Sequence, residues 1–297
     1  MATATSDLDL RKLRYFVVLA EELNFGRAAD RLHIAQPVLT RQIRSLEEDF
    51  DVRLFDRDSR GTVLTDAGEQ LLEDSRPLLA TAAALRAQLA ALSEPVRHLT
   101  VGVMPGLLAT AAVASFEAAN APARVTVRRV SWDDQLDVVR DGTVDVVYAR
   151  DAEGDELLSV MPLLEEGRDV VLPLGHDLAT QVTVTPTDLA DVLLLQDVRV
   201  APEWQAVASP RMRREAARIE HASTVEEKLE LVAAGRGFVI LPHSTTAAYR
   251  RPDVSIVPAA DFTPSKVSLV TRRRRRDALL DEFVRRASSN RERSLTT

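Results

Sequence analysis

The stretch that decides the fold is FGRAADRLHIAQPVLTRQIRSLEEDF, residues 25–50. Its apolar spacing is typical of two short helices separated by the four-residue turn HIAQ, residues 33–36. Asn24 is the predicted N-cap of the first helix. Pro37 falls in the first turn of the second helix, where a missing N–H costs nothing. The stretch therefore predicts a helix-turn-helix unit.

The second helix of this unit has two contrasting sides, at about 100° per residue. The side predicted to face inward consists of Leu39, Ile43, Leu46 and Phe50. The opposite side carries Pro37, Arg41, Arg44 and Glu48, flanked by Thr40 and Ser45. A helix held in this way fits the major groove, and Gln, Thr and Arg side chains can hydrogen-bond to base edges. Taken alone, the two arginines are better explained as a solvated helix face.

The residues on either side of the unit supply the context that favours DNA binding. DLRKLRYFVVLAEEL, residues 9–23, predicts a preceding helix capped by Asp9. Its inward side is predicted to consist of Leu10, Leu13, Phe16, Val17 and Ala20. DSRGTVLT, residues 58–65, predicts a β-hairpin with Arg60 and Gly61 at its turn. A hairpin in this place is a wing, which can reach the flanking minor groove or the DNA backbone.

Residues 13–68 resemble the DNA-binding domain of LysR-type transcriptional regulators. The resemblance rests on the patterns F-x-R-A-A-x-x-L, Q-P-x-x-T-R-Q-I-x-x-L-E, L-F-x-R-x-x-R and L-T-x-A-G. It implies that the second helix of the helix-turn-helix unit enters the major groove. The implied base-edge or near-base contacts are Gln36, Pro37, Val38, Thr40 and Arg41. The implied phosphate contacts are Arg44, Arg57 and Arg60, which would set affinity and salt dependence rather than sequence choice.

A long helix is predicted from Thr65 to about Leu92. Its apolar residues alternate in steps of four and three, which is a heptad seam: Leu71, Ser75, Leu78, Ala82, Leu85, Leu89 and Leu92. The seam is consistent with a helix on its own domain's core or with a dimer interface, and the resemblance favours a dimerising linker. Pro77 predicts a kink or a fresh helix start. A homodimer, or the homotetramer common in the family, would place recognition helices one DNA turn or a multiple apart on a dyad-symmetric site.

Beyond Pro95, short buried strands alternate with helices. HLTVGV (98–103), VDVVYAR (144–150) and DVLLLQ (191–196) are predicted strands, and a helix is predicted near 203–218. This alternation predicts a parallel α/β sheet. The resemblance implies an effector domain of two α/β lobes, similar to periplasmic binding proteins.

The expected fold is therefore multi-domain: an N-terminal all-α winged helix-turn-helix, a long linker helix and a two-lobed α/β effector domain. The predicted boundaries are 8–66 for the DNA-binding domain, 67–94 for the linker, 96–290 for the effector domain and 291–297 for a polar tail. Lobe one is expected over 96–162 and 265–290, and lobe two over 163–264.

Ligands of open α/β sheets bind at the carboxyl ends of the strands. With the family analogy, this predicts the following effector contacts: Met104, Pro105, Gly106, Trp132, Arg150, Gln196, Asp197, Thr224 and Val225. Met104 and Trp132 are also explained by packing, and Arg150 by a surface position. Many family members have a Ser or Thr hydroxyl where this chain has Gly106 and Trp132. An indole here predicts a bulkier, more aromatic or apolar ligand, or a partly filled cleft.

Composition narrows the function further. The 297 residues carry a net charge of −7 and no cysteine, which excludes disulfides and a thiol nucleophile and suits the cytoplasm. There is no signal-peptide pattern, no membrane-spanning run, no metal-ligand spacing among the histidines and no cofactor fingerprint. The sequence predicts a DNA-binding transcription factor, not an enzyme, modulated by an unknown small-molecule effector.

The expected partners are double-stranded promoter DNA, the effector and a second copy of the chain, with RNA polymerase as a further candidate. Three alternatives remain open at this point. They are an effector-independent DNA-binding regulator, a solute-binding α/β protein with an incidental helical head, and an α/β enzyme.

Overall fold

The computed structural model describes residues 8–58, 61–91, 97–219, 221–273 and 277–289. The chain forms two compact units that divide at Ala90. Arg60, Leu92 and the tail at 291–297 lie outside the described residues. The first elements are α1 Leu10–Glu22, α2 Phe25–Arg31, α3 Gln36–Phe50, β1 Phe55–Asp58, β2 Gly61–Leu64 and α4 Asp66–Ala91.

The helix starts follow the predicted caps. The Asp9 side chain accepts a hydrogen bond from the backbone N–H of Arg11 at 2.7 Å, at the start of α1. Asn24 does the same for Arg27 at 3.0 Å, at the start of α2. Each cap satisfies an N–H group that the helix itself leaves without an acceptor. Pro37 lies in the first turn of α3, so both the caps and the proline position are confirmed.

The inward side of α3 forms the core of the first unit. Leu39, Ile43 and Leu46 are buried there with α1 and α2. The prediction for Phe50 is wrong, because its ring is 42% exposed. Phe50 is the last residue of α3, and the chain turns at Asp51 with a φ of 54°, which leaves the ring at the surface. The prediction for Leu10 is also wrong, because this first residue of α1 is exposed.

The linker helix α4 runs without a break from Asp66 to Ala91 and contains Pro77, so the predicted fresh start does not occur. Its beginning packs on the first unit's own core through Leu71, Leu72 and Leu79. Later in the helix the apolar seam is uncovered, and Leu78, Leu85 and Leu89 are exposed. The reading of the seam as packing on its own domain is therefore confirmed for the beginning of the helix, and the dimer interface stays a prediction for the rest. None of the described helices is long and apolar enough to cross a membrane.

The remaining elements form two sheets with helices around them. In chain order they are β3 His98–Val103, α5 Thr110–Ala119, β4 Arg124–Arg129, α6 Asp137–Arg140, β5 Val146–Arg150, β6 Leu158–Glu166, β7 Arg168–Pro173, α7 Pro202–Val207, α8 Pro210–Ala216, α9 Val225–Ala233, β8 Val239–Pro242, α10 His243–Ala248, β9 Val254–Pro258, β10 Ser265–Arg272 and α11 Ala278–Ser289.

The first lobe is a five-stranded sheet in the order β4-β3-β5-β10-β6. Strand β3 is parallel to β4 and β5, whereas β10 is antiparallel to β5 and β6. The second lobe has a three-stranded antiparallel sheet in the order β8-β7-β9. The predicted parallel pairing is therefore confirmed for β3, β4 and β5 and wrong for the other strands. Strand β10 returns from the second lobe, so it enters the first sheet from the end at which β5 leaves it.

Three local predictions also need correction. Strand β6 continues to Glu166, so the first lobe extends past the predicted bound at 162. Only Leu194 of the predicted strand 191–196 forms a bridge, with Phe238. The predicted helix near 203–218 is two helices, α7 and α8, because Ser209 precedes Pro210 and the residue before a proline is disfavoured in helical geometry.

Replacing Ile43 with Ala should destabilise the first unit by about 2–5 kcal/mol, because it opens a cavity in the core that orients α3. Hydrogen-exchange mass spectrometry on peptides from α1, α2 and α3 measures this as faster exchange. Phe50→Ala is the matched control and should change the free energy of unfolding by less than about 0.5 kcal/mol, since its ring is at the surface. Equal acceleration by both substitutions would contradict the described core.

Candidate DNA interface and effector cleft

The outward side of α3 carries polar groups that are not engaged within the protein. Gln36, Arg41 and Arg44 are exposed and Thr40 is partly exposed. Within the described part of the chain, none of these four side chains makes a hydrogen bond or an ion pair. The arginines of α2 differ. Their charge is held by the carboxylates of α1, since Arg27 and Arg31 pair with Glu22 at 3.2 and 3.1 Å. Among the described arginines of α2 and α3, the free guanidinium groups are thus those of α3.

The N-terminal end of α3 is also open. Its N-cap position is Ala35, which provides no side-chain hydrogen bond, and its first turn contains no acidic residue. The partial positive charge of a helix N-terminus favours a phosphate or another anion. Pro37 and Val38 are exposed in this first turn. The implied base contacts therefore lie together along one uncovered surface.

The hairpin of β1 and β2 is the predicted wing, and it is tied directly to α3. The Glu47 carboxylate, on α3, accepts hydrogen bonds from the backbone N–H groups of Leu54 and Phe55 at 2.9 and 3.3 Å. On the other side, Thr65 donates to the carbonyl oxygen of Arg53 at 2.7 Å. Gly68 is required by close packing, because a Cβ there would lie 2.2 Å from the carbonyl oxygen of Leu54.

These contacts explain two of the resemblance patterns in physical terms. The Glu of L-E is Glu47, which fixes the start of the wing to α3. The Thr and Gly of L-T-x-A-G are Thr65 and Gly68, which hold the chain after the wing against the backbone of Arg53 and Leu54. Sequence reasoning used these residues only as signatures and did not assign them this positioning role. Arg57 lies on β1 opposite Thr62, which places it in the wing.

In the second unit, a buried ion pair of the first lobe is hydrogen-bonded to the second lobe. Arg150, at the end of β5, pairs with Glu166 at the end of β6, and its side chain is 0% exposed. Its guanidinium also donates to Ser244 Oγ of α10 at 2.7 Å and to the carbonyl oxygen of Pro105 at 3.3 Å. Glu166 accepts from the backbone N–H of Ser244 at 2.7 Å. Burial lowers the pKa of Arg150, and the nearby Glu166 carboxylate opposes that change.

Arg150 is therefore buried, so the surface position that the sequence left open is wrong. Its position makes it a bridge that joins β5 of the first lobe to α10 of the second. The prediction that it contacts an effector stays a prediction, and the geometry adds that such a contact would have to compete with Glu166 and Ser244.

Gly106 lies where the first lobe touches the start of α10. Its φ is +82°, and a Cβ added to it would lie 2.5 Å from the Cα of Thr245. A serine or threonine would therefore overlap the backbone of the second lobe. The missing hydroxyl at this position follows from a lack of space between the lobes.

Trp132 is partly buried against the core of the first lobe. The Nζ of Lys228, on α9 of the second lobe, lies 5.4 Å from the centre of its ring, and the Cζ of Arg150 lies 6.0 Å away. Both distances are within the range of cation–π attraction. Lys228 was missed from the sequence. In the sequence, the only indication of its role is that this lysine of V-E-E-K-L-E-L shares one side of the helix with apolar residues.

The other predicted effector contacts have partners inside their own lobes. Gln196 Oε1 accepts from the backbone N–H of Ile240 at 2.7 Å. Hydrogen bonds from Arg199 lower the pKa of Asp197 to about 2. Thr224 caps α9 and shares a capping box with Glu227.

Met104 and Val225 are buried in hydrophobic clusters, so their side chains serve packing in this arrangement. The structure thus gathers Pro105, Gly106, Trp132 and Arg150 on the first lobe. From the second lobe, Lys228 approaches this group, with its Nζ 5.4 Å from the centre of the Trp132 ring. The backbone N–H of Lys228 donates to the carbonyl oxygen of Thr224 at the start of α9.

Two family models match the chain. Residues 10–69 match "Bacterial regulatory helix-turn-helix protein, lysR family", and residues 93–290 match "LysR substrate binding domain". The HTH-type transcriptional regulator TfdS of Cupriavidus pinatubonensis is 33% identical over 265 residues, which cover 86% of this chain and 88% of that protein. The Hca operon transcriptional activator HcaR of Escherichia coli is 30% identical, with 79% of this chain and 82% of that protein covered.

Solved structures agree with this assignment. The crystal structure of CbnR, a LysR family transcriptional regulator, matches with a TM-score of 0.59 and 25% identity over 98% of this chain and 100% of that one. Full-length BenM matches with a TM-score of 0.52 and 24% identity over 96% of this chain and 98% of that one, which supports the fold.

Gly106→Ser should lower the unfolding temperature of the second unit, measured by differential scanning calorimetry. The serine suffers both the cost of a positive φ and the overlap with Thr245. Gly175→Ser is the matched control. Gly175 has the same φ of +82°, but an added Cβ would meet nothing within 4 Å. Equal unfolding temperatures for the two variants would rule out the close approach at Gly106.

Proposed function

The chain belongs to the LysR family of bacterial regulators, and we propose that it controls transcription by binding a dyad-symmetric promoter site through α3. We further propose that a small molecule in the cleft of the second unit changes this binding. The observation that carries the DNA-binding part is the free polar surface of α3. Arg41 and Arg44 are exposed and unpaired within the described residues, although acidic side chains engage the neighbouring arginines of α2.

The proposed roles divide by chemistry. Gln36, Thr40 and Arg41 read base edges, because their donors and acceptors match those presented in the major groove. Pro37 and Val38 contribute close apolar contacts beside them. Arg44 and, as the resemblance implies, Arg57 and Arg60 bind phosphates, which determines affinity and salt dependence.

Dimerisation through α4 is proposed from its uncovered apolar seam. Leu85 and Leu89 are 57% and 58% exposed on a helix whose beginning is packed on its own domain. A second copy of the same helix would cover them and would present two recognition helices to the two halves of a symmetric site. A homotetramer would consist of two such dimers.

The effector part of the proposal rests on the family's ligand-binding domain and on the residues gathered around Trp132. A ligand there would regulate DNA binding only if it has different affinities for two arrangements of the protein. We propose the cytoplasm as the site of action and RNA polymerase as a partner in activation, both from the family resemblance.

Arg41→Ala should weaken binding to a promoter fragment upstream of the protein's own gene by about 1–3 kcal/mol, since a lost bidentate base contact costs that much. Gel retardation against a competing non-specific fragment measures the loss. Arg14→Ala is the control, because Arg14 is also exposed but lies on α1. A protein that does not retard any promoter fragment, or an Arg41→Ala variant that binds as tightly as Arg14→Ala, would refute the assigned surface.

Leu85→Glu should shift the protein towards the monomer in analytical ultracentrifugation, because it introduces a charge into the proposed seam. Val182→Glu is the control, since Val182 is an exposed apolar residue of the second unit. Sedimentation of Leu85→Glu as the same assembly as the unmodified protein would exclude α4 as the main dimer contact.

A further inference from the structure

A partly buried lysine of α1 is bonded to the later part of α3. Lys12 donates through Nζ to Ser45 Oγ at 2.8 Å and to the Asp49 carboxylate at 2.5 Å. Its side chain is 17% exposed, whereas Arg41 and Arg44 of the proposed DNA surface are open to solvent. Because Ser45 and Asp49 are four residues apart, they lie on the same side of α3. One ammonium group therefore holds two successive turns of the recognition helix.

The contact made by Lys12 is next to the proposed base-reading surface. Ser45 lies one turn after Arg41 on α3, and residues four apart are neighbours on a helix surface. A second polar contact holds α3 from another side, where Glu47 accepts two backbone N–H groups at the start of the wing. At about 100° per residue, Glu47 lies roughly 160–200° around the helix from Asp49 and Ser45. The DNA surface of α3 thus has one polar contact on each side of it.

Apolar packing and polar contacts constrain the rotation of a helix differently. Apolar burial is non-directional, so it limits small rotations less sharply than hydrogen bonds, which weaken steeply when their angle changes. A rotation of about 10° moves an atom at the outer radius of a helix, roughly 6 Å from the axis, by about 1 Å. Recognition groups must be held to within about 0.5 Å. The contacts of Lys12 and Glu47 therefore supply precision that the core does not supply by itself.

We propose that Lys12 is a positioning residue for DNA recognition, which fixes the rotation of α3 through Ser45 and Asp49 so that Arg41 meets its base edge. This role rests on the proposed DNA-binding function and adds to it a specificity-determining residue that touches no base. A partly exposed ion pair contributes little to the stability of a fold. The consequence of losing Lys12 therefore lies in the choice of DNA sequence rather than in folding.

The competing explanation is that Lys12 leaves Asp49 and binds a DNA phosphate directly. The two explanations assign different roles to Asp49. In the positioning role it is the partner that Lys12 needs, whereas beside a phosphate contact it competes with DNA for the ammonium. Removal of the Asp49 charge therefore impairs sequence recognition in the first case and favours DNA binding in the second.

Gel retardation of the full chain, with the promoter fragment upstream of its own gene and with a non-specific fragment, gives the ratio of the two affinities. Lys12→Met should lower this ratio by about fivefold or more, the lower end of the loss of a bidentate base contact. Asp49→Asn should lower it as well, and the double variant no further than either single one, because the same contact is lost only once. Arg11→Met is the matched control. It removes the same charge from an exposed position of α1 and should leave the ratio unchanged.

An unchanged ratio in Lys12→Met, or an equal decrease in Arg11→Met, would overturn the positioning role. Equal weakening of both fragments by Lys12→Met, with a salt dependence lower by about one contact and no decrease of the ratio in Asp49→Asn, would establish a phosphate contact instead. An unfolding temperature of Lys12→Met as low as that of Ile43→Ala, with an unchanged ratio in Asp49→Asn, would leave only a structural contact. Absence of retardation by the unmodified protein overturns the proposed function itself, whereas retardation with unchanged ratios in both single variants overturns only the role of Lys12.

Discussion

The burial of one side of α3 is the constraint on which DNA recognition depends. Leu39, Ile43 and Leu46 are held in a core built by α1 and α2, and burying a side chain of this size stabilises the fold by about 1.5–3 kcal/mol. A rotation of α3 about its axis would expose these three residues and bury Arg41 and Arg44, each at a desolvation cost of several kcal/mol. Both terms favour the same orientation, so the apolar side fixes which polar groups are offered to DNA.

In the second unit, polar contacts fix the relative orientation of the two lobes. The ion pair of Arg150 and Glu166 stabilises the fold little, because its attraction must first offset the desolvation of both charges. Its importance lies in geometry. Glu166 stands at the end of β6, one residue before the crossing into β7, and Ser244 stands at the start of α10. The network therefore joins the lobes beside Trp132, whose ring centre lies 6.0 Å from the Cζ of Arg150.

The sequence predicts features that depend on neighbouring residues and fails where distant segments meet. The caps at Asp9 and Asn24, the turn after α2 and the inward set of α3 all follow from local chemistry and helical period. The ring of Phe50 is exposed because the core ends before it, which the period alone does not reveal. The antiparallel entry of β10 depends on where the chain returns from the second lobe. Gly106 resembles a lost hydroxyl in the sequence, whereas the structure shows a close approach to Thr245. Lys228 was missed because its partner, Trp132, lies almost a hundred residues earlier in the chain.

The proposed ligand site also limits how strongly an effector can act. A population shift from 1:99 to 99:1 requires about 5.5 kcal/mol of differential binding, whereas a hydrogen bond to a charged group supplies about 1.5–3 kcal/mol. A single contact of this kind with an effector is therefore too weak to drive a complete switch alone. An effector that contacts both lobes is favoured only when the lobes come together, so nearly all of its contact energy is differential. In the proposed dimer two such sites act on one assembly and their energies add to about 3–6 kcal/mol. Dimerisation through α4 thus serves regulation as well as DNA symmetry, since it allows two modest ligand contacts to approach the free energy that a switch requires.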